Sequence, residues 1–388
     1  MTQLTQAQQQ LVELAREFTK QHLFPLEQLV TENGELSFDQ ARVVTGLGKE
    51  AGLFATNIGN EYGGVGLSVF ENVLVQEQLG HAKDVLVRRA TGNIYECLAL
   101  GTPIQQESYL LPAVRGERWC SLAVSEPEAG SDVIAIETSA KKTDDGWLLN
   151  GRKMYISDAE YSDYFIVAAK TAPGLGANGI SLFLVDKNAP GFSLGQRFNM
   201  MGFIGTSHNE LIFDNIKLSD DALLGDLNKG FQLLCNTLGK ARLAKVAARG
   251  LGKCVRLLDL MTEHAKTRHQ FEQPLVSNGT IQNMLADSTM EIRAARALLW
   301  ETARSMDNGL ACREEISMLK VLVTELLGKV ADHAVQIFGA AGCHDGHLIE
   351  SCYRDARLFR IIDGTSEVHR NILAKSLVKK GALAVVDI

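Results

Sequence analysis

The feature that most constrains this fold is a change in hydrophobic periodicity, from helix-like to strand-like and back to helix-like. From residue 3 to about residue 118, apolar side chains recur three and four positions apart among polar ones. From about 119 to 220 the apolar residues form short runs rich in β-branched and aromatic side chains, as in 180–185. After residue 230 the helical spacing returns. Strands confined to the middle, with helices on both sides, predict an α+β, mainly α, chain rather than a doubly wound βαβ chain.

This periodicity predicts an N-terminal α-helical domain (1–118), a middle β domain (119–228) and a C-terminal α-helical domain (229–388). Four sets of apolar residues recur at helical spacing, and the last two of them form stripes that are predicted to face a core. The four sets are Leu11, Leu14 and Phe18; Phe70, Val73, Leu74 and Leu79; Leu251, Val255, Leu258 and Met261; and Leu319, Leu322, Val323, Leu326, Val330 and Ile337.

Composition narrows the class of protein. The chain has 388 residues, which is long for a single core, and a net charge of −7, which argues against nucleic acid and anionic membranes as partners. Seven cysteines, an odd number without a CxxC pair, predict reduced thiols. The start lacks a basic segment followed by an apolar one, and no run approaches the roughly 18 apolar residues of a membrane span. We therefore expect a cytoplasmic protein without a membrane span.

Two motifs resemble nucleotide and metal sites but are better explained otherwise. Residues 174–179 match GxGxxG, yet they lie between two predicted strands rather than before a helix, which predicts a hairpin loop. Asp145-Gly146 predicts a second hairpin. His344 and His347 flank a glycine and are interpreted as part of a solvated loop, so no metal site is predicted. Glu350 and Arg354 are spaced for an i,i+4 ion pair on a helix.

Two further patterns are weighed in the same way. No GxSxG occurs, which leaves a hydrolase nucleophile elbow without support. Basic residues between 240 and 256 scatter around a predicted helix, which favours a solvated face with one or two cofactor contacts.

Four segments carry the chemistry. In 123–132, Ser125 can donate a hydrogen bond to a heterocycle, and the turn that follows exposes backbone N–H groups. In 150–157, Tyr155 and Ser157 are two apart on a predicted strand, so they share a face that suits a planar ligand. The other two are 268–274 and the pair 336–342 with 363–370.

Together with Glu61-Tyr-Gly-Gly-Val-Gly66, these segments resemble the acyl-CoA dehydrogenase family along essentially the whole chain. Residues 125–132 resemble its first signature, usually with Gly where Glu128 stands, and 336–342 with 353–367 resemble its second. The resemblance implies an N-terminal helical domain, a central β-barrel-like domain and a C-terminal four-helix domain, with non-covalent FAD between the last two.

The resemblance also implies roles for residues at matching positions. Those holding the flavin ring would be Val124, Ser125, Tyr155 and Ser157, and two more would touch the cofactor, Thr365 and Glu367. Those holding the pyrophosphate and adenosine of a neighbouring subunit's FAD would be Arg268, Phe271, Gln336 and Gly339. Contacts across a subunit boundary imply a homotetramer or at least a homodimer. Ser131 matches a position near the pantetheine or phosphate arm of the substrate.

The implied reaction is α,β-dehydrogenation of an acyl thioester in fatty acid metabolism, with the β-hydride passing to flavin N5. The usual base is Glu before Gly-Thr, but this chain has Asp363, and the alternative position holds Ala241. Asp363 is therefore the candidate base, with Arg242 as a supporting charge and Ile362 in an apolar substrate wall. A shorter acid reaches about 1.5 Å less far. The segment from Asp363 to Ser366 also matches a helix N-cap, and both roles can hold at once.

Three interpretations of Asp363 stay open: a substrate placed closer to the base, a nitroalkane-oxidase-like flavin oxidase, or a catalytically weak flavin-binding relative. A nucleic-acid-associated relative is disfavoured by the acidic net charge. The thioester would be carried by CoA or by an acyl carrier protein. An electron-transfer flavoprotein is the expected oxidant.

Overall fold

Helices occupy both ends of the chain and a mixed eight-stranded sheet occupies the middle in a computed structural model that describes residues 3–386. This confirms the predicted fold class. The helices before the sheet are α1 (Gln6–Phe18), α2 (Glu27–Asn33), α3 (Phe38–Glu50), α4 (Val69–Leu79), α5 (Asp84–Thr91), α6 (Pro103–Gln105) and α7 (Leu111–Val114). Those after it are α8 (Gly230–Ala241), α9 (Arg249–Thr267), α10 (Gly279–Asp307), α11 (Arg313–Phe338), α12 (Leu348–Phe359), α13 (Ser366–Lys380) and α14 (Leu383–Val386).

Irregular helical turns join several of these helices. The π-helical segments are Thr19–Leu23, Gln106–Leu110 and Arg242–Ala248. Short 3₁₀ turns occur at Phe24–Leu26, Asn60–Tyr62, Glu96–Leu100, Val133–Ala135, Gly176–Gly179, Asp220–Ala222, Leu275–Ser277 and Gly339–Cys343. Within residues 3–386, no helix has the length and apolarity needed to cross a membrane.

Local sequence explains where three of the first helices begin. The N-cap residues Thr5, Ser37 and Ser68 each accept from the backbone N–H three positions later, and the side chain at that position bonds back to the N-cap N–H. Such capping boxes satisfy two otherwise unpaired donors at each helix start.

The strands form one sheet and one small hairpin. They are β1 (Cys120–Ala123), β2 (Ser139–Thr143), β3 (Gly146–Ser157), β4 (Tyr164–Lys170), β5 (Ile180–Asp186), β6 (Phe192–Arg197), β7 (His208–Leu218), β8 (Leu223–Leu224), β9 (His269–Gln270) and β10 (Gln273–Pro274). The sheet order is β6-β7-β3-β2-β4-β5-β8, with β1 parallel to β4, and β9 pairs with β10.

Both predicted hairpin connections are confirmed. Thr143 pairs with Gly146, so a tight turn links β2 to β3. Lys170 pairs with Ile180 at the ends of β4 and β5, which places the GxGxxG segment in the loop of a hairpin. That segment has no helix after it on which a dinucleotide could sit.

The first and last helical parts share one hydrophobic core. The largest cluster of buried side chains lies between α9, α10, α11 and α12, and it includes Phe70, Val73 and Leu74 of α4. Leu322, predicted to face the core, is 41% exposed instead, and Leu14, which fits the helical spacing of α1, is 44% exposed. Each lies at the edge of its apolar stripe, where a helix turns away from its neighbours. The seven cysteines carry free thiols.

The basic series on α8 and α9 is not a solvated face, so that prediction is wrong. Arg249 is 2% exposed and donates to Asp84 and Gln76, while Lys253 is 4% exposed and donates to the carbonyl of Ala82. These cations tie α9 to the first helical part. Their partners are far away in sequence, which is why helical spacing alone did not reveal them.

Candidate functional site

The first part of the candidate site is built where one long helix changes its winding. Between α8 and α9 the chain continues as the π-helical segment Arg242–Ala248. Such segments are rare and are frequently found at functional sites, because the extra residue per turn re-aims side chains. Here Arg242 Nε donates to the backbone carbonyl of Asp363 at 2.7 Å. The structure therefore brings together the two residues predicted to act at the reacting carbon.

The loop that carries Asp363, between α12 and α13, is held at several points. The ammonium of Lys320 donates to the carbonyl of Arg360 at 3.0 Å, and His369 Nε2 lies 3.3 Å from the carbonyl of Asp363. Asp363 adopts a left-handed backbone with φ of 53°. This conformation is uncommon for residues other than glycine. It persists where contacts with the surrounding structure hold the backbone in place. The loop is thus fixed by groups from α11, α13 and the π-helical segment.

The protonation state of His369 follows from its surroundings. Burial, reinforced by the charge of Arg242, lowers the pKa of His369 to about 4. The ring is therefore neutral near pH 7. Since a carbonyl oxygen only accepts, Nε2 carries the proton toward Asp363, and Nδ1 accepts from the Ser317 hydroxyl at 3.1 Å. At Gly364, φ is +96° and an added Cβ would lie 2.9 Å from His369 Nε2, so this position favours glycine on both counts.

The reactive groups of Asp363 itself are free. Within residues 3–386 neither its carboxylate nor its backbone N–H makes a hydrogen bond, and the residue is half-buried. Cations surround it without forming an ion pair. Burial lowers the pKa of Arg242, and it lowers that of Lys320 to about 8, while the Asp363 carboxylate acts in the opposite direction on both. A free carboxylate beside a free N–H can take a proton and stabilise developing negative charge at one place.

Asp363 is not the helix cap that its neighbouring sequence suggested. The N-cap of α13 is Thr365, whose hydroxyl accepts from the backbone N–H of Val368 at 3.2 Å. The cap lies two residues later than expected because Asp363 and Gly364 both have positive φ and form the turn before the helix. Glu367 is exposed in the first turn of α13. Thr365 and Glu367 therefore adjoin Asp363 along the chain.

A second group of predicted residues is organised around a buried ion pair. Lys153 is fully buried, and its ammonium donates to the Val124 carbonyl at 2.8 Å and to the Glu126 carboxylate at 2.7 Å. The N–H of Met154 donates to the Ser125 carbonyl at 2.8 Å. These bonds dock the segment containing Val124 and Ser125 onto β3.

The electrostatics of the pair are those of a buried salt bridge. Burial would raise the pKa of Glu126, but the adjacent Lys153 ammonium outweighs it and holds the pKa below the ordinary value. Burial lowers the pKa of Lys153 to about 8. Glu126 also accepts from the backbone N–H of Thr138 at 3.0 Å. A buried carboxylate satisfied in this way depends strongly on its cation.

Tyr155 and Ser157 lie on β3, but the regular alternation expected between them is interrupted. A register shift separates Lys153 from Ile156, and Tyr155 in between has a φ of 59°. Its ring is 52% exposed and lies 4.7 Å from that of Phe198. A β-bulge of this kind re-aims a side chain. It leaves an aromatic face open beside the partly exposed Ser157.

A third group lies at the surface, on α11 and the small hairpin. Phe271 is 98% exposed at the turn between β9 and β10, and Arg268, Gln336 and Gly339 are exposed as well. The adjoining helix ends are held together by His264 and Phe338, whose rings stack at 4.1 Å. Among the described residues, no hydrogen bond or ion pair connects this group with the other two. It therefore stands apart as an open surface.

Ser131 and Ile362 complete the predicted set. Ser131 is exposed in the loop after Glu126, where the Asp132 side chain accepts from the N–H of Ile134 at 3.2 Å. Ile362 is half-buried and packs against the C-terminal core.

Several residues of these groups were missed by sequence reasoning. Lys153 had a detectable signal, because Trp147, Leu149 and Lys153 share the alternating face of β3 that the structure buries. Lys320 and His369 gave none, since each looks like an ordinary polar residue on a helix. Their contacts with Arg360 and Asp363 arise only when α11, α13 and the loop pack together.

The predicted ion pair of α12 is confirmed, with Arg354 Nη2 donating to Glu350 at 3.0 Å. In the part of the chain that the structure describes, no three His, Cys, Asp or Glu side chains are grouped so as to hold a metal ion.

A surface cleft of about 830 Å³ contains none of the predicted site residues. Part of its charged lining is paired: Arg118 forms an ion pair with Asp186, and the Tyr109 hydroxyl donates to Asp186 at 3.0 Å. We therefore place the candidate site at Asp363, on the basis of its reactive groups, and not at this cleft.

The residues present suit a flavin. The hydroxyls of Ser125 and Ser157 make no hydrogen bond within residues 3–386, so both are available to ring heteroatoms. The half-exposed Tyr155 offers an aromatic face. An added Cβ at Gly130 or Gly339 would meet nothing within 4 Å, so the backbone there is open to a ligand.

Comparisons with known proteins agree with this arrangement. Family descriptions match in order along the chain: "Acyl-CoA dehydrogenase, N-terminal domain" over residues 5–117, "middle domain" over 121–216 and "C-terminal domain" over 228–378. The chain is 35% identical over 379 residues to 3-(aryl)acrylate reductase of Clostridium sporogenes, covering 97% of this chain and 99% of that one. It is 34% identical over 372 residues to the caffeyl-CoA reductase-Etf complex subunit of Acetobacterium woodii, covering 95% and 97%.

A solved structure is similar over the same extent. The structure of butyryl-CoA dehydrogenase from Megasphaera elsdenii superposes with a TM-score of 0.89 at 30% identity, covering 97% of this chain and 100% of that one. Matches of this length, to proteins with the same order of helices and sheet, show that the chain belongs to the acyl-CoA dehydrogenase family, whose members are FAD flavoproteins and oxidoreductases acting on CH–CH bonds.

Proposed function

We propose that this protein removes hydrogen from the α and β carbons of an acyl thioester, with Asp363 as the base. The observation that carries the proposal is the state of Asp363: its carboxylate and N–H are free while its carbonyl is held by Arg242 and His369. A residue fixed through its carbonyl keeps its other two polar groups in constant positions. Pre-organised groups of this kind need no rearrangement during the reaction.

The chemistry follows from those two groups. An α C–H beside a thioester becomes acidic when its carbonyl oxygen is stabilised, because negative charge develops on that oxygen as the proton leaves. The free N–H of Asp363 supplies one donor to the oxygen, and the free carboxylate takes the proton. Exclusion of water by substrate would strengthen the carboxylate as a base. Bound FAD supplies the acceptor for the β-hydride.

The cofactor would be held by the three groups of residues already described. Ser125, Tyr155 and Ser157 would contact the flavin ring, with Val124 beside them, and Thr365 and Glu367 would lie next to the base. Arg268, Phe271, Gln336 and Gly339 would hold the adenosine end of FAD bound by a second subunit, which makes a homodimer or homotetramer part of the proposal. Their exposure in the single chain supports this, because all four remain accessible to a second subunit.

Electron transfer and substrate carrier belong to the proposal as well. The Acetobacterium relative is a subunit of a caffeyl-CoA reductase-Etf complex, which supports an electron-transfer flavoprotein as the oxidant here. The acyl group would be carried by CoA, as in the names of several relatives, or by an acyl carrier protein.

The test is anaerobic mixing of the purified holoenzyme with acyl-CoAs of varied length and branching, and with the same acyl groups on acyl carrier protein. We expect at least one thioester to bleach the flavin absorbance, and the reduced enzyme to be reoxidised by an electron-transfer flavoprotein. Failure of every thioester would contradict the proposal.

A second candidate rests on the identity of the base, since an aspartate also suits deprotonation of a nitroalkane by a flavin oxidase. That candidate requires bleaching by nitroalkanes and rapid reoxidation by oxygen without a protein partner. Oxygen consumption during turnover separates the two candidate functions, because only the oxidase consumes oxygen in proportion to the substrate oxidised.

A further inference from the structure

A polar cluster lies beside the proposed base, where a fatty acyl chain would call for apolar walls. Lys245 is in the π-helical segment, three residues after Arg242. Its ammonium lies 2.8 Å from Asn93 Oδ1 and 5.0 Å from the centre of the Tyr95 ring. Asn93 Nδ2 donates in turn to the Tyr95 hydroxyl at 3.1 Å. The three side chains form one connected group between the first and last helical parts.

The ammonium of Lys245 has bonding capacity to spare. It makes one hydrogen bond and has no carboxylate within 4 Å among residues 3–386, although an ammonium carries three donors. The neighbouring Ala244 and Val246 are buried, whereas Lys245, Asn93 and Tyr95 each keep partial exposure. Lys320, which also has no carboxylate within 4 Å among residues 3–386, is by contrast fully buried. Lys245 therefore faces accessible space with unused donors.

The charged groups around Lys245 leave its ammonium without a carboxylate in contact. Those that act on it are Glu96 and Asp363, which favour its charged form, and Arg249 and Arg88, which oppose it. The two arginines have partners of their own: Arg88 donates to Asp158 at 2.7 Å and Arg249 donates to Asp84 at 3.0 Å. The charge of Lys245 is therefore balanced only from a distance, and none of the carboxylates in residues 3–386 lies within 4 Å of it.

The cluster lies close enough to the proposed base to contact the same substrate. The carboxylate of Asp363 acts electrostatically on both Lys245 and Tyr95. Arg242, which holds Asp363, precedes Lys245 by three residues in the same π-helical segment, so the axial rise between them is less than about 5 Å. A chain whose α carbon lies at Asp363 would reach Lys245 within a few carbon atoms.

We propose that Lys245, with Asn93, binds a carboxylate at the distal end of the acyl group, so that the preferred substrate is a short dicarboxylic acid joined to its carrier through one thioester. This inference rests on the proposed function, since it names the substrate class of the same site. An anion would supply the missing partner for Lys245 and accept from its unused donors. A hydrocarbon tail would instead bury an unpaired ammonium, which is costly.

The test compares thioesters of equal length with and without the charge, using anaerobic flavin reduction of the holoenzyme. Glutaryl-CoA is compared with pentanoyl-CoA and with monomethylglutaryl-CoA, which removes the charge but keeps the shape. We expect glutaryl-CoA to be about tenfold or more the better substrate in kcat/KM. Lys245→Met should abolish that preference by slowing glutaryl-CoA while leaving pentanoyl-CoA within about threefold. Lys240→Met, at an exposed lysine of α8, is the matched control and should change neither.

Two outcomes would overturn the inference. Equal efficiency of glutaryl-CoA and monomethylglutaryl-CoA with the unmodified enzyme would do so without any variant. An equal loss of activity of the Lys245→Met enzyme with all three thioesters would do so as well. Such a loss would indicate that Lys245 acts in folding or in supporting the base. In both cases bleaching of the unmodified enzyme by pentanoyl-CoA would leave the proposed function intact, whereas no bleaching of the unmodified enzyme by any thioester would contradict the proposed function itself.

Discussion

Arg242 Nε donates to the backbone carbonyl of Asp363 at 2.7 Å, so the guanidinium holds the main chain of the proposed base and leaves its carboxylate free. An arginine placed on the carboxylate would instead have stabilised the charged form and weakened it as a base. The arrangement positions the acid without neutralising it.

Replacing Arg242 should therefore slow the reaction through misplacement of Asp363. We expect Arg242→Gln to reduce the rate constant of flavin reduction by about tenfold to a hundredfold, because a shift of about 1 Å in a reacting group can cost that much. Arg242→Lys should recover part of the loss, since an ammonium can still donate to the carbonyl. Rapid mixing separates this constant from substrate binding, which should change little. A loss accompanied by an equal loss of bound FAD would point to a structural role instead.

The ion pair between Lys153 and Glu126 should support stability. Lys153→Met would leave the Glu126 carboxylate buried without its cation, which should lower the free energy of unfolding by about 3–5 kcal/mol. Urea unfolding measures this, and Lys141→Met, at an exposed lysine of β2, should cost less than about 0.5 kcal/mol. Adding Glu126→Gln to Lys153→Met should restore part of the loss. If Lys153→Met and Lys141→Met both changed the free energy of unfolding by equally small amounts, the stabilising role of the buried ion pair would be refuted.

The exposed group at Arg268 and Phe271 should bind FAD across a subunit boundary. Arg268→Gln should raise the dissociation constant for FAD about tenfold or more, because it removes a charged hydrogen-bond donor from the pyrophosphate. Titration of apoprotein with FAD by fluorescence gives the constant. Lys266→Gln, two residues earlier in an exposed pair with Glu263, is the control and should have little effect. Unchanged affinity in Arg268→Gln would remove this residue from the cofactor site.

Recognition of a distal carboxylate should weaken as pH rises. Burial lowers the pKa of Lys245 to about 8. The protonated fraction should thus fall about tenfold between pH 7 and pH 9, and with it the advantage of glutaryl-CoA over pentanoyl-CoA. The charged and titratable groups that act on Lys245 are Glu96 and Asp363, which favour its charged form, and Arg249 and Arg88, which oppose it; Tyr95 packs against it. Lys245→Met should make the ratio independent of pH in this range, and a ratio that rises with pH would contradict the assignment.

The order of helices and strands was readable from the sequence because hydrophobic period is a local property. The hairpins closing at Gly146 and Ile180 followed from turn chemistry and strand composition in the same way. The edges of helical stripes were not readable: Leu14 and Leu322 fit the pattern, but their exposure depends on where neighbouring helices end.

The sequence predicted the candidate site only through its motifs. Resemblance to a known family identified Asp363, Ser125 and Tyr155 as site residues, but the groups that hold them in position come from distant segments. Lys320, His369 and Arg242 converge on one loop through tertiary packing, and Lys245 meets Asn93 across 152 positions of sequence. Basic residues such as Arg249 and Lys245 resembled a solvated face in the sequence. Their burial depends on tertiary packing against helices of the first helical part, which helical spacing does not reveal.

The most direct test of the account is the rate of anaerobic flavin reduction by a thioester substrate in Asp363→Asn holoenzyme. Asparagine keeps the size of the side chain and tolerates the left-handed backbone, so FAD content and thermal stability should be retained. We expect reduction to slow by about a hundredfold to ten-thousandfold, the range supplied by a general base. Reduction at the unmodified rate, in a variant that still binds FAD, would contradict the assignment of Asp363 as the base.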